Sequence, residues 1–172
     1  MCIEFRKVSG FNRGTILNLL SDAYSFDERM GQCWRSDWEE FDDFFFDNLQ
    51  IADQYGFITT LDGEAIGLVS WDPRNMPEYV EVGHNCIKST YKGRGYGTMQ
   101  LEEAVNRIMG YDVKKIIVTT NAGLFPAQRM YESVGFKTVR RRKNAGIANF
   151  AGEYIDYEII ADEFAGLRHS SK

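Results

Sequence analysis

Lys92-Gly93-Arg94-Gly95-Tyr96-Gly97-Thr98 lies between a run that reads as a strand, 78–88 (EYVEVGHNCIK), and one that reads as a helix. That helix carries Met99, Leu101, Ala104, Val105 and Ile108 at apolar spacing and is closed by Gly110. Glycines at 93, 95 and 97 let backbone approach a ligand closely, because none has a Cβ. Their amides, with the first amides of the helix behind them, would point at an anion, typically a phosphate. A P-loop would need Gly-Lys-Ser/Thr after four spacer residues, and that is missing. A dinucleotide fingerprint would need glycine at 98, where Thr98 stands.

Working outward, residues 2–8 alternate apolar and polar as a half-buried strand does. Ser9 and Asn12 offer a cap for a helix through Ile16, Leu17, Leu19, Leu20 and Tyr24. Trp34, Trp38, Phe41, Phe45 and Leu49 recur at helical spacing over 34–52. Two strands follow, 56–61 and 64–71, joined by Asp62-Gly63, a hairpin signal because both turn positions need positive φ. Beyond the glycines, 115–119 is a short apolar run bounded by polar residues, which predicts an interior strand. Pro126 suits the first turn of a further helix that Gly135 ends. Residues 136–141 and 153–160 are the last strands, and the tail from about 162 is expected to fray or to form a short helix. The stretch 142–152 is the longest loop candidate, and long loops in compact domains are often functional.

The chain has 172 residues, enough for one domain. Apolar residues make up 44% and charged residues 26%, which rules out disorder, collagen and coiled coil as the whole account. A net charge of −5 argues against a general nucleic-acid binder. Cys2, Cys33 and Cys86 are widely spaced and odd in number, and the two histidines are His84 and His169. That pattern argues against a zinc site or a disulfide framework and fits a reduced cytoplasm. No apolar run approaches the ~20 residues that span a bilayer, so no membrane association is expected.

The residues Ala127-Gln128-Arg129-Met130-Tyr131-Glu132-Ser133-Val134-Gly135-Phe136 form a second motif. With 92–98 it resembles the paired signatures of the GNAT superfamily, the acetyl-coenzyme A-dependent N-acetyltransferases. The first signature is R/Q-x-x-G-x-G/A and the second A-x-x-L-Y-x-x-x-G-F. The resemblance spans most of the chain and implies one N-acetyltransferase domain over 1–172. The implied fold is α+β in three layers, with a mixed sheet of about six to seven strands, about four helices and splayed central strands. Two departures stand out: Lys92 replaces the usual Arg or Gln, and Leu124 stands where many members have Asn.

The resemblance implies acetyl-CoA as co-substrate and no metal. Lys92, Gly93, Arg94, Gly95, Tyr96, Gly97 and Thr98 would then cradle the diphosphate through backbone. An amide near Ile87 would polarise the thioester carbonyl. Asn121 and Ala127 would complete the cofactor contacts. The extended pantetheine arm can add to the 78–88 strand, with Gly83 or Asn85 permitting a bulge.

Direct transfer to an amine needs a base for the ammonium and a donor for the departing thiolate. Tyr131 matches the position at which the family commonly keeps its thiol-protonating tyrosine. Glu81, eleven residues before Lys92, matches the glutamate base of the histone-acetyltransferase branch in spacing. It would share a strand face with Gly83 and Asn85, with His84 facing the other way. His84 and water remain alternatives as base.

Residues 22–53 hold ten acids and two arginines, a charge of −8. By resemblance this segment overhangs the acceptor side, where it would attract a small cationic amine; the favoured reading of its acids is a solvated helix face. A peptide amine, at an N-terminus or lysine, is the alternative acceptor. A non-catalytic acyl-CoA sensor is the alternative to an enzyme. Arg140-Arg141-Arg142-Lys143 reads as a strand edge, a contact for an acidic partner or for the 3′-phosphate of coenzyme A. The sequence leaves monomer and homodimer both open.

Overall fold

A computed structural model describes residues 1–143 and 152–169. Asp62 and Gly63 both take positive φ, 50° and 86°. That is the mirror-image turn whose twist matches two antiparallel strands. It joins β2 (Gly56–Leu61) to β3 (Glu64–Asp72), as the spacing predicts. β1 (Ile3–Arg6) pairs antiparallel with β2, and the Asp62 carboxylate accepts from the Cys2 amide at 2.7 Å.

The remaining strands are β4 (Val80–Ile87), β5 (Lys115–Asn121), β6 (Lys137–Lys143) and β7 (Glu153–Ile160). The helices are α1 (Thr15–Ala23), α2 (Glu28–Asp47), α3 (Leu49–Tyr55), α4 (Tyr96–Ile108), α5 (Phe125–Val134) and α6 (Ala161–His169). The strands form one mixed sheet in the order β1-β2-β3-β4-β5-β7-β6. β4 and β5 run parallel, while β5, β7 and β6 pair antiparallel. Seven strands and an α+β class match the sequence expectation. The helices number six among the described residues where about four are expected. The predicted 34–52 helix divides at Asn48, and the tail forms α6.

The chain groups into two compact units, residues 1–71 with 83–100, and residues 72–82 with 101–172. In the first, Val8, Ile16, Leu20, Trp38, Phe45, Ile58 and Leu68 build a core, with Trp38 stacked on Tyr24 at 5.5 Å. Burying each such side chain contributes about 1.5–3 kcal/mol. Ser9 and Asn12 do not cap α1 through their side chains. Ser9 instead donates to Asp53 at 2.6 Å, and α1 begins at a left-handed Gly14. Its cap comes from α2: buried Asp42 accepts from the amides of Gly14, Ile16 and Leu17 at 2.8, 3.0 and 3.1 Å. A carboxylate at a helix N-terminus satisfies orphan donors and opposes the positive end of the dipole.

In the second unit, even-numbered residues of β5 are buried and odd-numbered ones half-buried. β7 shows the same alternation, with Ile155, Tyr157 and Ile159 buried. One sheet face is therefore core, and the other is polar and partly open.

Candidate active site

The glycine turn has the geometry of an anion cradle. A 3-10 turn over Ser89–Tyr91 delivers the chain to Lys92, and Gly93 and Gly95 then take φ of 73° and 85°. An L side chain adopts such φ at a cost of about 1–2 kcal/mol, so both positions call for glycine. No atom stands within 4 Å of where a Cβ would be at either, so the turn is open on that side. α4 starts at Tyr96, and its first intrahelical bond runs from the Met99 amide to the Gly95 carbonyl at 3.1 Å. The amides of Tyr96, Gly97 and Thr98 thus have no acceptor within the helix. Alternating left-handed residues ahead of a helix N-terminus gather amides into a concavity suited to a phosphate oxygen.

Side chains around the turn are spent on holding it. The Lys92 ammonium donates to the Ala23 carbonyl at the end of α1 and lies 4.8 Å from the centre of the Phe26 ring. Burial holds its pKa below the ordinary lysine value. The Lys92 ammonium is thus engaged within the protein, and its amide lies 3.4 Å from the Ser89 carbonyl. Asp22 accepts from the Ser89 amide at 2.6 Å, tying the same turn to α1. Tyr96 packs its ring among Ile66 and Ile87, 6.2 Å from that of Tyr91. Arg94 lies over the Tyr91 ring, whose hydroxyl donates to Glu64 at 2.6 Å.

Behind the turn is a buried residue that sequence reasoning misses. Gln100 is fully buried; its carboxamide donates to the Leu68 carbonyl at 2.9 Å, the Asn85 side chain at 2.7 Å and the Cys86 carbonyl at 3.2 Å. Its oxygen accepts from the Thr59 hydroxyl at 2.6 Å. One side chain of α4 thus fixes β2, β3 and β4. Gly67 is its counterpart, because a Cβ there would sit 2.5 Å from the Gln100 oxygen and 2.8 Å from the Cys86 carbonyl. The available signal is a glutamine at a core position of an amphipathic helix, next to Leu101.

In β4, buried Val80 and Val82 flank half-buried Glu81, and the alternation of burial expected along the strand stops at Gly83. His84 packs against the Phe41 ring at 4.4 Å, on the face opposite Asn85. Burial pushes the His84 imidazole down to about 4, so it stays neutral near pH 7. Cys86 is buried and its thiol pushed up to about 12, which leaves it inert as a nucleophile. The Lys88 amide donates to Ile66 of β3 at 2.8 Å. Successive amides of a strand alternate sides, so the Ile87 amide points away from β3.

In the second unit, Tyr131 is buried on α5, with ring contacts to Phe136 and Tyr157, both at 5.7 Å. The Gly-Phe of the second motif is the device that holds it. Gly135 ends α5 at φ 109°, and the Phe136 amide folds back to the Tyr131 carbonyl at 3.0 Å. Asn121 organises the turn before α5, its side-chain oxygen accepting from the Gly123 amide at 2.7 Å. Ala127 lies half-buried in the first turn of α5.

Glu81 is paired with Ile117 of β5 and half-buried. Burial raises its pKa above the ordinary carboxylate value, helped by Asp72 and Asp156 and opposed by Arg142 and Arg74. A carboxylate so placed is a better proton acceptor at neutral pH than an exposed one. Asp156 on β7 accepts from Thr119 at 2.7 Å and from Arg140 and Arg142 at 2.9 and 3.0 Å, and is held at about 2.

Both sequence motifs fall within the span of a known family. The Acetyltransferase (GNAT) family model matches residues 15–136, and the chain belongs to that family. Mycothiol acetyltransferase of Corynebacterium glutamicum is 28% identical over 108 residues, 63% of this chain and 32% of that protein. The chain thus spans about a third of the length of the curated relatives it matches. Among solved structures, a GNAT-family protein of Desulfovibrio desulfuricans superposes with a TM-score of 0.72 at 15% identity, covering 93% of this chain and 98% of that one. A GNAT family acetyltransferase of Elizabethkingia anophelis, with acetyl-CoA bound, gives 0.62 at 15% identity, covering 92% and 97%. At such identities the likeness is one of fold.

Proposed function

We propose that the protein transfers an acetyl group from acetyl-CoA to a primary amine by direct attack. The observation that carries this reading is the Gly93–Thr98 turn: two left-handed glycines deliver amides to the start of α4. Acetyl-CoA supplies the activated acyl group and, in its diphosphate, the anion that this cradle suits. The amides of Arg94, Tyr96, Gly97 and Thr98 bind it, while Lys92 holds the turn in place. The Ile87 amide, turned away from β3, is the donor for the thioester carbonyl. Ala127 gives the first turn of α5 a small side chain beside the cofactor, and Asn121 sets that helix's starting turn.

Glu81 takes the proton that the attacking ammonium must lose, directly or through one water. His84, at about 4 and packed on Phe41, is too weak a base to compete near pH 7. Tyr131 returns a proton to the thiolate as the C–S bond breaks and the C–N bond forms. The acceptor approaches as a small cationic amine. Its attraction rests on Glu81 more than on the acids of 22–53, many of which serve the fold. Asp42 caps α1, Asp43 pairs with Arg13 at 2.6 Å, and Asp53 holds Ser9.

An acceptor screen with free-thiol detection tests the reading. Thiol release that depends on both acetyl-CoA and an amine is expected. Acetyl-CoA binding without thiol release across peptides and small amines would make the protein a sensor instead.

A further inference from the structure

Resting on the acetyl-transfer reading, we propose that Arg140 and Arg142 form a carboxylate subsite, and that the acceptor is an amino carboxylate rather than a simple amine. The pairing registers put the relevant groups on one face of the second unit. Glu81 pairs with Ile117, Thr119 with Asp156, Asp156 with Arg140, and Arg142 with Tyr154. Residues paired across a ladder share a face, as do residues two apart along a strand. Glu81, Thr119, Asp156, Tyr154, Arg140 and Arg142 therefore lie on the half-open face, opposite buried Tyr157.

Edge protection alone does not explain the arginines. Arg141 on the other face pairs loosely with Glu153 at 3.6 Å. Arg140 and Arg142 instead both fold down onto the single Asp156 carboxylate. Thr119 fixes that carboxylate from β5, and the Arg142 guanidinium lies 5.1 Å from the centre of the Tyr154 ring. Two guanidiniums on one carboxylate leave a net charge of +1 on a pre-set frame. The pairing engages their Nε and Nη2 atoms. Among the described residues no acceptor is paired with their Nη1 ends, on side chains that are 67% and 43% exposed. A carboxylate is the natural ligand of such a fork.

The spacing suits a short acceptor. Glu81 and Asp156 are two strands and two residues apart, about 12 Å between backbones, with both side chains on one face. Arg142 acts electrostatically on Glu81. The other charged groups near Glu81 are self-compensated: Asp72 holds Arg74 at 2.6 Å. An amine at Glu81 and a carboxylate a few atoms away at Arg142 would satisfy both ends of one molecule.

The test compares kcat/KM for matched acceptors: lysine against cadaverine, ornithine against putrescine, β-alanine against ethylamine. At least one amino acid is expected to exceed its decarboxylated partner by tenfold or more. Arg140→Gln with Arg142→Gln should bring that ratio to near one, and Arg142→Lys, which keeps charge but loses the fork, to an intermediate value. Melting curves of each variant separate loss of the subsite from loss of fold. Diamines used as well as amino acids, or a ratio that survives the double substitution, would overturn the proposal. Acetyl-CoA binding by calorimetry with no turnover of any of the six acceptors would overturn it too. Absence of acetyl-CoA binding would overturn the acetyl-transfer reading itself.

Discussion

Replacing Gln100 with leucine removes four hydrogen bonds from the first unit and adds no bulk. The Thr59 hydroxyl, fully buried, loses its acceptor at 2.6 Å, and the Asn85 side chain loses a donor at 2.7 Å. The Leu68 and Cys86 carbonyls lose a donor each. A buried polar group left without a partner costs about 1–3 kcal/mol. With the Thr59 hydroxyl orphaned, three further hydrogen bonds lost at about 0.5–1.5 kcal/mol each and partial compensation from an apolar side chain, the loss is about 2–5 kcal/mol, against a total of about 5–15 for a domain. At about 2–4 °C per kcal/mol for a chain of this size, the melting temperature falls by about 5–20 °C. Urea unfolding measures the loss directly. Adding Thr59→Val should recover about 1 kcal/mol, because removing both partners of a buried pair is nearly neutral. A Gln100→Leu variant within 0.5 kcal/mol of wild type (roughly the error of such measurements) would refute this account of how α4 is joined to the sheet.

Gly95→Ala forces an L side chain to φ 85° without steric conflict, so it costs conformational energy alone. The melting temperature should fall by a few degrees, and acetyl-CoA affinity by calorimetry by about tenfold as the turn relaxes. In steady-state kinetics the acid limb of wild-type kcat/KM should report a pKa above the ordinary carboxylate value. Glu81→Gln should abolish that limb, and Tyr131→Phe should lower kcat by about 10²-fold. His84 titrates at about 4 folded and about 6.5 unfolded. Below pH 6.5 the unfolded chain takes a proton that the folded one refuses, so unfolding free energy should decline between pH 6.5 and 4, by up to about 3 kcal/mol. The slope should be shallower in His84→Leu.

Local chemistry made much of this legible in advance. Asp62-Gly63, the glycines ahead of α4 and the Gly-Phe after α5 are each dictated by backbone conformation, and each appears where the residues require it. The α2/α3 break does not show, because the aromatic spacing runs unbroken through Asn48. There the backbone leaves helical values and the Asn48 side chain donates back to Phe44 at 2.8 Å. The start of α2 at Asp27 is hidden by a polar first turn and by Gly31.

Asp42 reads as part of a solvated acidic face. It is four residues from Trp38 and three from Phe45, on the apolar side, and buried there as the cap of α1. Gln100 and Asp156 were missed for one reason: their roles are set by partners 14 to 41 residues away in sequence, which helical and strand periodicity does not report. Residues 144–151 of the predicted loop lie outside the described residues.

Titrating acetyl-CoA into isotopically labelled protein and following backbone amide resonances reads the cradle atom by atom. The largest shifts should fall on Arg94, Tyr96, Gly97 and Thr98, and free diphosphate should move the same amides. Heat of binding with those amides unmoved would place the cofactor elsewhere and contradict the account.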